Sequence, residues 1–107
     1  MSLIRVLING SRGRMGQESV KAVIEDPELD LVAQTDMGDN LSGTIKQAQA
    51  QVVVDFTTAA VVMENAEAII ESGASPVIGT SGLLPEQVSK LQELCEKNNN
   101  GGVIAPN

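Results

Sequence analysis

Two hydrophobic patterns alternate along the chain: short aliphatic runs, and longer stretches with apolar residues at helical spacing. The run at 52–56 is apolar in all but one position, which is typical of a strand buried on both faces of a parallel sheet. Pro85 favours a helix start, and Gly73 favours a helix end. The stretch at 43–51 is ambiguous and includes a candidate short helix around 45–48. The pattern otherwise predicts strands over 3–8, 29–35, 52–56, 75–78 and 103–105, a loop over 36–42, and helices over 14–25, from a cap at Thr57 or Thr58 to about 72, and from Pro85 to a turn at 98–102.

Strands and helices follow one another in this prediction in regular alternation. Such alternation predicts a parallel sheet with right-handed crossovers. We therefore expect an α/β fold of the Rossmann type, a doubly wound parallel sheet with helices on both faces, forming a single three-layer domain over residues 1–107. The residues that follow the last predicted strand are expected at the edge of the sheet where ligands bind.

Composition narrows the chemistry that such a fold can support. The sequence is 42% apolar and contains a single aromatic residue, Phe56, so the core must consist mainly of aliphatic side chains. It contains no His, the side chain that most readily exchanges protons near neutral pH, and its other titratable residues form no obvious catalytic constellation. General acid–base chemistry is therefore expected to come from a partner or a further segment.

Charge and cysteine content exclude several classes of partner. The net charge of −7 disfavours nucleic acid and anionic membrane surfaces, both of which attract basic proteins. No apolar run reaches the roughly 18 residues that a membrane span needs, and the N-terminus lacks a long apolar signal segment. The lone Cys95 fits a reducing compartment. We expect a cytoplasmic protein whose partner is a small molecule.

A glycine-rich turn between the first strand and the first helix is the strongest local signal. Gly10, Gly13 and Gly16 form a G-x-x-G-x-x-G variant of the dinucleotide fingerprint. The first glycine permits a tight turn, the second lets a pyrophosphate approach the backbone, and the third lets the helix pack close to the sheet. The helix N-terminus attracts phosphate, and Arg12 and Arg14 add positive charge.

An acidic residue at the end of the second strand is the next signal. Asp36 lies 20 residues after Gly16, where a carboxylate accepts hydrogen bonds from the adenosine ribose. A carboxylate there repels the 2′-phosphate of NADP, and the following Met37 offers no compensating charge. The pair favours NADH over NADPH, although an ordinary solvated loop aspartate would look the same.

Two further segments follow strands of the predicted sheet. Gly79, Thr80 and Ser81 are small or hydroxylated, which leaves space for a flat ring and provides hydrogen bonds, although a plain strand–helix loop would share this composition. Phe56, after the third strand, is as consistent with a wall of the cofactor site as with a core position.

Four short motifs together resemble the 4-hydroxy-tetrahydrodipicolinate reductase (dihydrodipicolinate reductase) family of bacterial lysine biosynthesis. These motifs, GSRGRMG at 10–16, VDFT at 54–57, GTSG at 79–82 and APN at 105–107, occur in the order found in that family. The resemblance covers residues 4–107. It implies reduction of a cyclic dicarboxylate by hydride from NADH or NADPH. The cofactor-binding residues that it and the motifs indicate are Gly10, Ser11, Arg12, Gly13, Arg14, Met15, Gly16, Asp36, Phe56, Gly79, Thr80, Ser81, Ala105, Pro106 and Asn107.

The resemblance also implies what the chain does not supply. Family members continue into a second domain that carries a His-rich catalytic segment, the substrate-binding residues and a tetramer-forming sheet. We therefore expect this chain to correspond to the dinucleotide-binding domain alone, with no catalytic residue of its own. Ser81 departs from the usual GTTG motif but keeps a hydroxyl, and Met37 stands where NADP-using members often carry a basic residue.

The residues leave two other functions open. A non-catalytic module that senses NAD(H) would carry the same loop and the same acid. A coenzyme A-binding domain shares the fold, but Asp36 would repel the 3′-phosphate of coenzyme A. Fold alone does not decide between them.

Overall fold

The computed structural model describes residues 2–99 and 101–104, which form one parallel sheet with helices on both faces. The five strands lie in the order β2-β1-β3-β4-β5 and all neighbouring pairs are parallel. This confirms the predicted Rossmann-type α/β fold. The strands are β1 (Ile4–Asn9), β2 (Leu29–Thr35), β3 (Val52–Asp55), β4 (Ser75–Ile78) and β5 (Val103–Ile104).

Within the described residues, four helices connect the strands. Pro85 is the first residue of the last helix, and Gly73 has a φ of 86° just after the third, as the sequence predicts. The helices are α1 (Arg14–Glu25), α2 (Leu41–Ala48), α3 (Val62–Glu71) and α4 (Pro85–Lys97).

Apolar residues fill both sides of the sheet. On one side, Val23 of α1 packs with Val6 and Ile8 of β1. On the other side, α2, α3 and α4 cover two adjoining clusters of buried residues. The members of these two clusters are Leu7, Ile45, Val53, Ile69 and Ala74, and Val62, Ala66, Ile70, Ile78, Leu91 and Cys95.

Two predicted helix starts were wrong, and each has a local cause. The second helix begins at Leu41, inside the predicted loop, because the Asn40 side chain accepts a hydrogen bond from the Gly43 N–H and caps it. The third helix begins at Val62 and not after Thr57 or Thr58. The Thr57 hydroxyl donates to the Asp55 carboxylate at 2.6 Å, and a turn closed by the Val61 N–H and the Thr58 carbonyl precedes the helix.

The strand order places a crevice at the carboxyl ends of β1 and β3. The connection through α1 leads from β1 to β2 on one side, whereas α2 leads back across β1 to β3 on the other. Ligands of open α/β sheets bind where the strand order reverses in this way. Across the described part of the chain, no helix is long and apolar enough to cross a membrane.

Candidate cofactor-binding site

The glycine loop lies at the crevice, and two of its glycines are required by the backbone itself. Gly10 has a φ of 86°, and a Cβ there would overlap the carbonyl oxygen of Phe56. A Cβ on the buried Gly16 would overlap the carbonyl oxygen of Gly10. These two glycines allow β1, the loop and α1 to pack closely.

Gly13 differs from the other two glycines. Its φ of −71° and ψ of 169° suit any residue, and the nearest atom to an added Cβ would be the Gly10 oxygen at 3.5 Å. Gly13 is the N-cap residue of α1 and lines the cavity described below. The protein therefore does not need a glycine here for its own packing, and the missing side chain leaves the N-terminus of α1 open towards the cavity.

The loop is anchored to the end of β2. The carbonyl oxygen of Thr35 accepts hydrogen bonds from the Gly10 N–H at 2.9 Å, the Ser11 N–H at 3.1 Å and the Ser11 hydroxyl at 3.2 Å. The Arg12 N–H donates to an Asp36 carboxylate oxygen at 2.8 Å. The glycine loop and the acidic residue are thus parts of one hydrogen-bonded unit.

Asp36 is held in its ionised form by backbone donors. Hydrogen bonds from the N–H groups of Met37, at 2.7 Å, and Arg12, at 2.8 Å, lower its pKa, and the Arg12 guanidinium adds a smaller coulombic effect. Each carboxylate oxygen receives one of these bonds, so lone pairs remain on both oxygens. A carboxylate in this state is able to accept hydrogen bonds from a diol.

A cavity of about 300 Å³ opens beside the loop. This is near the lower end of the range of roughly 300–1,000 Å³ for small-molecule sites. The glycine loop and Asp36 form one wall, and the segment from Phe56 to the start of α3 forms the opposite wall. The lining residues are Asn9, Gly10, Gly13, Asp36, Met37, Gly38, Asp39, Leu41, Phe56, Thr57, Thr58, Val61, Glu64 and Asn65.

A row of buried polar side chains runs beneath the crevice, across the ends of neighbouring strands. The Thr35 hydroxyl donates to the Asn9 amide oxygen at 2.7 Å, and the Asn9 amide nitrogen donates to Asp55 at 2.9 Å. The Thr80 hydroxyl donates to Asp55 from the other side at 2.9 Å. Among the described residues, these four are the polar or charged ones that are buried, so the polar interior lies at the site.

Phe56 and the segment after β4 lie beside this row. The ring of Phe56 lies so close to Gly79 that a Cβ on Gly79 would overlap it, which explains the glycine. Phe56 is half-buried and lines the cavity, so it is a wall residue as well as a packing residue. Thr80 is 4% exposed, whereas Ser81 is exposed at the surface.

Three of the remaining predicted site residues are exposed, and three lie outside the described part of the chain. Arg12, Arg14 and Met15 are exposed on the loop and the first turn of α1, where their side chains are free to approach a ligand. Ala105, Pro106 and Asn107 lie outside the described residues.

Sequence reasoning missed several residues that shape the site. Asn9 and Asn65 donate buried or half-buried hydrogen bonds to Asp55, which lies in the VDFT motif but received no predicted role. Leu41 and Val61 provide apolar walls. A polar residue at the carboxyl end of an otherwise apolar strand is a usable signal for Asn9 and Asp55. Leu41 and Val61 carry no comparable local signal.

Comparison with known proteins agrees with this geometry. Residues 4–107 match the family model described as dihydrodipicolinate reductase, N-terminus. The 4-hydroxy-tetrahydrodipicolinate reductase of Coxiella burnetii is 45% identical over 104 residues, which are 97% of this chain and 44% of that protein. The enzyme of the same name from Legionella pneumophila (strain Paris) is 45% identical over 103 residues, covering 96% and 42% of the two chains.

Solved structures give the same result. The dipicolinate-bound dihydrodipicolinate reductase from Paenisporosarcina sp. TG-14 superposes with a TM-score of 0.86 at 30% identity, covering 98% of this chain and 48% of that one. Biliverdin reductase from Synechocystis sp. PCC 6803, at 18% identity and a TM-score of 0.79, shares the fold over 94% of this chain and 37% of that one. The chain thus spans less than half the length of the relatives named above. On the family match and this identity, the chain belongs to the dihydrodipicolinate reductase family and corresponds to the N-terminal part of its members.

Proposed function

We propose that this chain binds NADH or NADPH and orients the nicotinamide in a reductase that transfers hydride to a cyclic dicarboxylate. The observation that carries the proposal is Gly13, a glycine that the fold itself does not require, at the N-terminus of a helix and on the wall of the cavity. Family membership adds support, since the relatives are reductases and one solved relative is described as binding dipicolinate.

The pyrophosphate is assigned to the glycine loop. Because Gly13 has no side chain, a phosphate is able to approach the first N–H groups of α1, where the helix dipole favours negative charge. Arg12 and Arg14 are exposed on either side of Gly13 and supply the positive charge that the otherwise acidic chain lacks. The charge of the diphosphate is thereby neutralised locally.

The adenosine half is assigned to the cavity. The free lone pairs of Asp36 accept the ribose hydroxyls, and the apolar side chains of Leu41 and Val61 border the space for the adenine. The Asp36 carboxylate repels a 2′-phosphate, and Met37, which is 83% exposed, does not offset that repulsion. On this basis we propose that NADH binds more tightly than NADPH.

The nicotinamide half is assigned to the carboxyl ends of β3 and β4. Phe56 and the segment Gly79, Thr80 and Ser81 border that region. The family resemblance adds Ala105, Pro106 and Asn107 to the residues that we propose for the nicotinamide. When bound, the cofactor supplies the hydride, while this chain binds and orients it. The chain has no His, so we assign proton donation to residues outside it.

The proposal is tested by titrating the chain with NADH and with NADPH in a calorimeter. We expect NADH to bind more tightly, and Asp36→Asn to raise its Kd about tenfold, since a hydrogen bond to a charged group contributes about 1.5–3 kcal/mol. The matched control is Asp30→Asn, the same change at an exposed position within β2, which should leave both Kd values within twofold. No binding of either cofactor at millimolar concentration, or equal effects of the two variants, would refute the assignment.

A further inference from the structure

Asp55 is a buried carboxylate that receives an unusual number of hydrogen bonds. It is 0% exposed at the end of β3. One oxygen accepts from the Thr57 N–H at 3.1 Å, the Thr57 hydroxyl at 2.6 Å and the Thr80 hydroxyl at 2.9 Å. The other accepts from the amide nitrogens of Asn9 at 2.9 Å and Asn65 at 3.2 Å. A buried carboxylate requires such compensation, and here every partner is a donor.

These donors come from separate segments of the fold. Asn9 ends β1, Asn65 lies in α3, Thr57 follows β3 and Thr80 follows β4. The Thr80 hydroxyl also accepts from the Thr57 N–H at 3.0 Å, so the segments after β3 and β4 are tied to each other as well as to the carboxylate. Asp55 therefore fixes the relative positions of the two segments that border the proposed nicotinamide region.

The side of the crevice that carries the glycine loop and Asp36 has anchors of its own. The glycine loop is bound to the Thr35 carbonyl and to Asp36, as described above. The wall at Val61 is set by backbone hydrogen bonds from the Val61 and Val62 N–H groups to the Thr58 carbonyl, at 3.1 and 3.0 Å. Asp55 adds to these anchors through three residues of the cavity lining, Asn9, Thr57 and Asn65. Beside the nicotinamide region it holds both Thr57 and Thr80 directly, so the loss of Asp55 should affect that half more.

We propose that Asp55 is a positioning residue for the nicotinamide half of the cofactor, acting through Thr57 and Thr80, with a smaller effect on the adenosine half. The proposal rests on the proposed function, because it takes the cofactor to be a nicotinamide dinucleotide. Asp55 does not contact the cofactor in this proposal. It fixes the positions of the Thr57 backbone and the Thr80 hydroxyl, and these two segments border the nicotinamide ring.

The carboxylate is necessary because its neighbours are donors. Replacement by asparagine keeps the volume but turns one acceptor into an NH₂ group, which would face the N–H and NH₂ donors of Thr57, Asn9 or Asn65. Donors that face one another cannot all be satisfied in a buried site. The Thr57 and Thr80 segments then lose their common anchor.

The test compares NADH with ADP, which has the adenosine and diphosphate groups but no nicotinamide. For Asp55→Asn, we expect the Kd of NADH to rise tenfold or more and the Kd of ADP to stay within about threefold of the wild-type value, by calorimetry on the whole chain. Equal losses for both ligands, or no loss for either, would overturn the proposal. Failure of the wild-type chain to bind NADH at all would instead count against the proposed function.

Circular dichroism checks that Asp55→Asn folds, and a second pair of variants covers the case in which it does not. Thr80→Val removes the hydroxyl that donates to Asp55, whereas Thr80→Ser keeps it. We expect the valine variant to lose NADH affinity at least fivefold while retaining ADP affinity, and the serine variant to recover NADH affinity to within twofold of wild type. A serine variant as weak as the valine variant would overturn the proposal, since only the hydroxyl distinguishes them in this respect.

Discussion

Replacing single glycines of the loop by alanine should distinguish the glycine needed for folding from the glycine needed for ligand binding. Alanine at Gly13 places its Cβ 3.5 Å from the nearest backbone atom outside the adjoining residues, which is an ordinary contact. Alanine at Gly16 places its Cβ within the volume of the Gly10 carbonyl oxygen, so α1 or the loop must move. The two substitutions add the same atom three residues apart, and each is the control for the other.

The expected changes in stability follow from these contacts. At Gly13, the smaller entropy of the unfolded chain favours alanine by about 0.4–1 kcal/mol, whereas the N-cap position disfavours alanine by a similar amount. The free energy of unfolding should therefore change by less than about 1 kcal/mol. At the buried Gly16, crowding should cost about 1–3 kcal/mol. In a domain of this size, that corresponds to a fall in Tm of roughly 4–8 °C for each kcal/mol.

For NADH affinity, the substitution at Gly13 should matter although it hardly changes stability. A methyl group on Gly13 occupies the space through which the pyrophosphate approaches the helix N-terminus, so we expect at least a tenfold rise in the Kd of NADH, about 1.4 kcal/mol, in a protein of nearly unchanged Tm. Thermal denaturation and calorimetric titration of the wild-type chain, Gly13→Ala and Gly16→Ala measure both quantities. If Gly13→Ala binds NADH within twofold of wild type, the phosphate does not approach Gly13 and the assignment of the loop is refuted.

Two further predictions concern the acid and the aromatic residue of the site. The pKa of Asp36 is lowered in the folded chain, so the ionised carboxylate stabilises the fold above the ordinary pKa of 3.8, and this stabilisation is lost as the pH falls below that value. The free energy of unfolding should therefore fall less steeply with decreasing pH in Asp36→Asn than in the wild-type chain over that range. An unchanged acid titration in the variant would show that the backbone hydrogen bonds of Asp36 do not stabilise the fold. Gly79→Ala should lower Tm because its Cβ meets the Phe56 ring, and Phe56→Leu in the same chain should recover part of the loss; strictly additive effects in this double-mutant cycle would contradict the contact.

The fold was predictable because its signals are local. Aliphatic runs predicted the strands to within about one residue at each end, and the apolar stripe of α3 is buried throughout, at Val62, Ala66, Ile69 and Ile70. A local pattern predicts the type of element better than it predicts which residues are buried by tertiary contacts. Ile24 continues the apolar pattern of α1, yet it is 65% exposed.

The start of α3 shows the same limit at the site. Thr57 and Thr58 have the composition of an N-cap, and nothing nearby in the sequence argues against that role. The hydroxyl of Thr57 is instead used by Asp55, and the helix begins at Val62 without a side-chain cap. The buried Asp55 carboxylate needs donors and takes both the hydroxyl and the N–H of Thr57, which fixes the position of Thr57, whereas the N–H groups of an exposed helix end can donate to water.

The two sides of the crevice differ in the same way, and this explains why spacing alone indicates only one of them. The side with the glycine loop and Asp36 is made of glycines and backbone hydrogen bonds within a strand–loop–helix–strand unit, so its requirements appear as a regular spacing from Gly10 to Asp36. The opposite side depends on Asp55, whose partners Asn9 and Thr80 lie 46 and 25 residues away. Such pairs leave no periodic trace, and GTSG alone therefore reads as an ordinary loop. The hydrogen bond between Thr80 of this motif and Asp55 of β3 forms only in the folded chain, so the sequence does not indicate it.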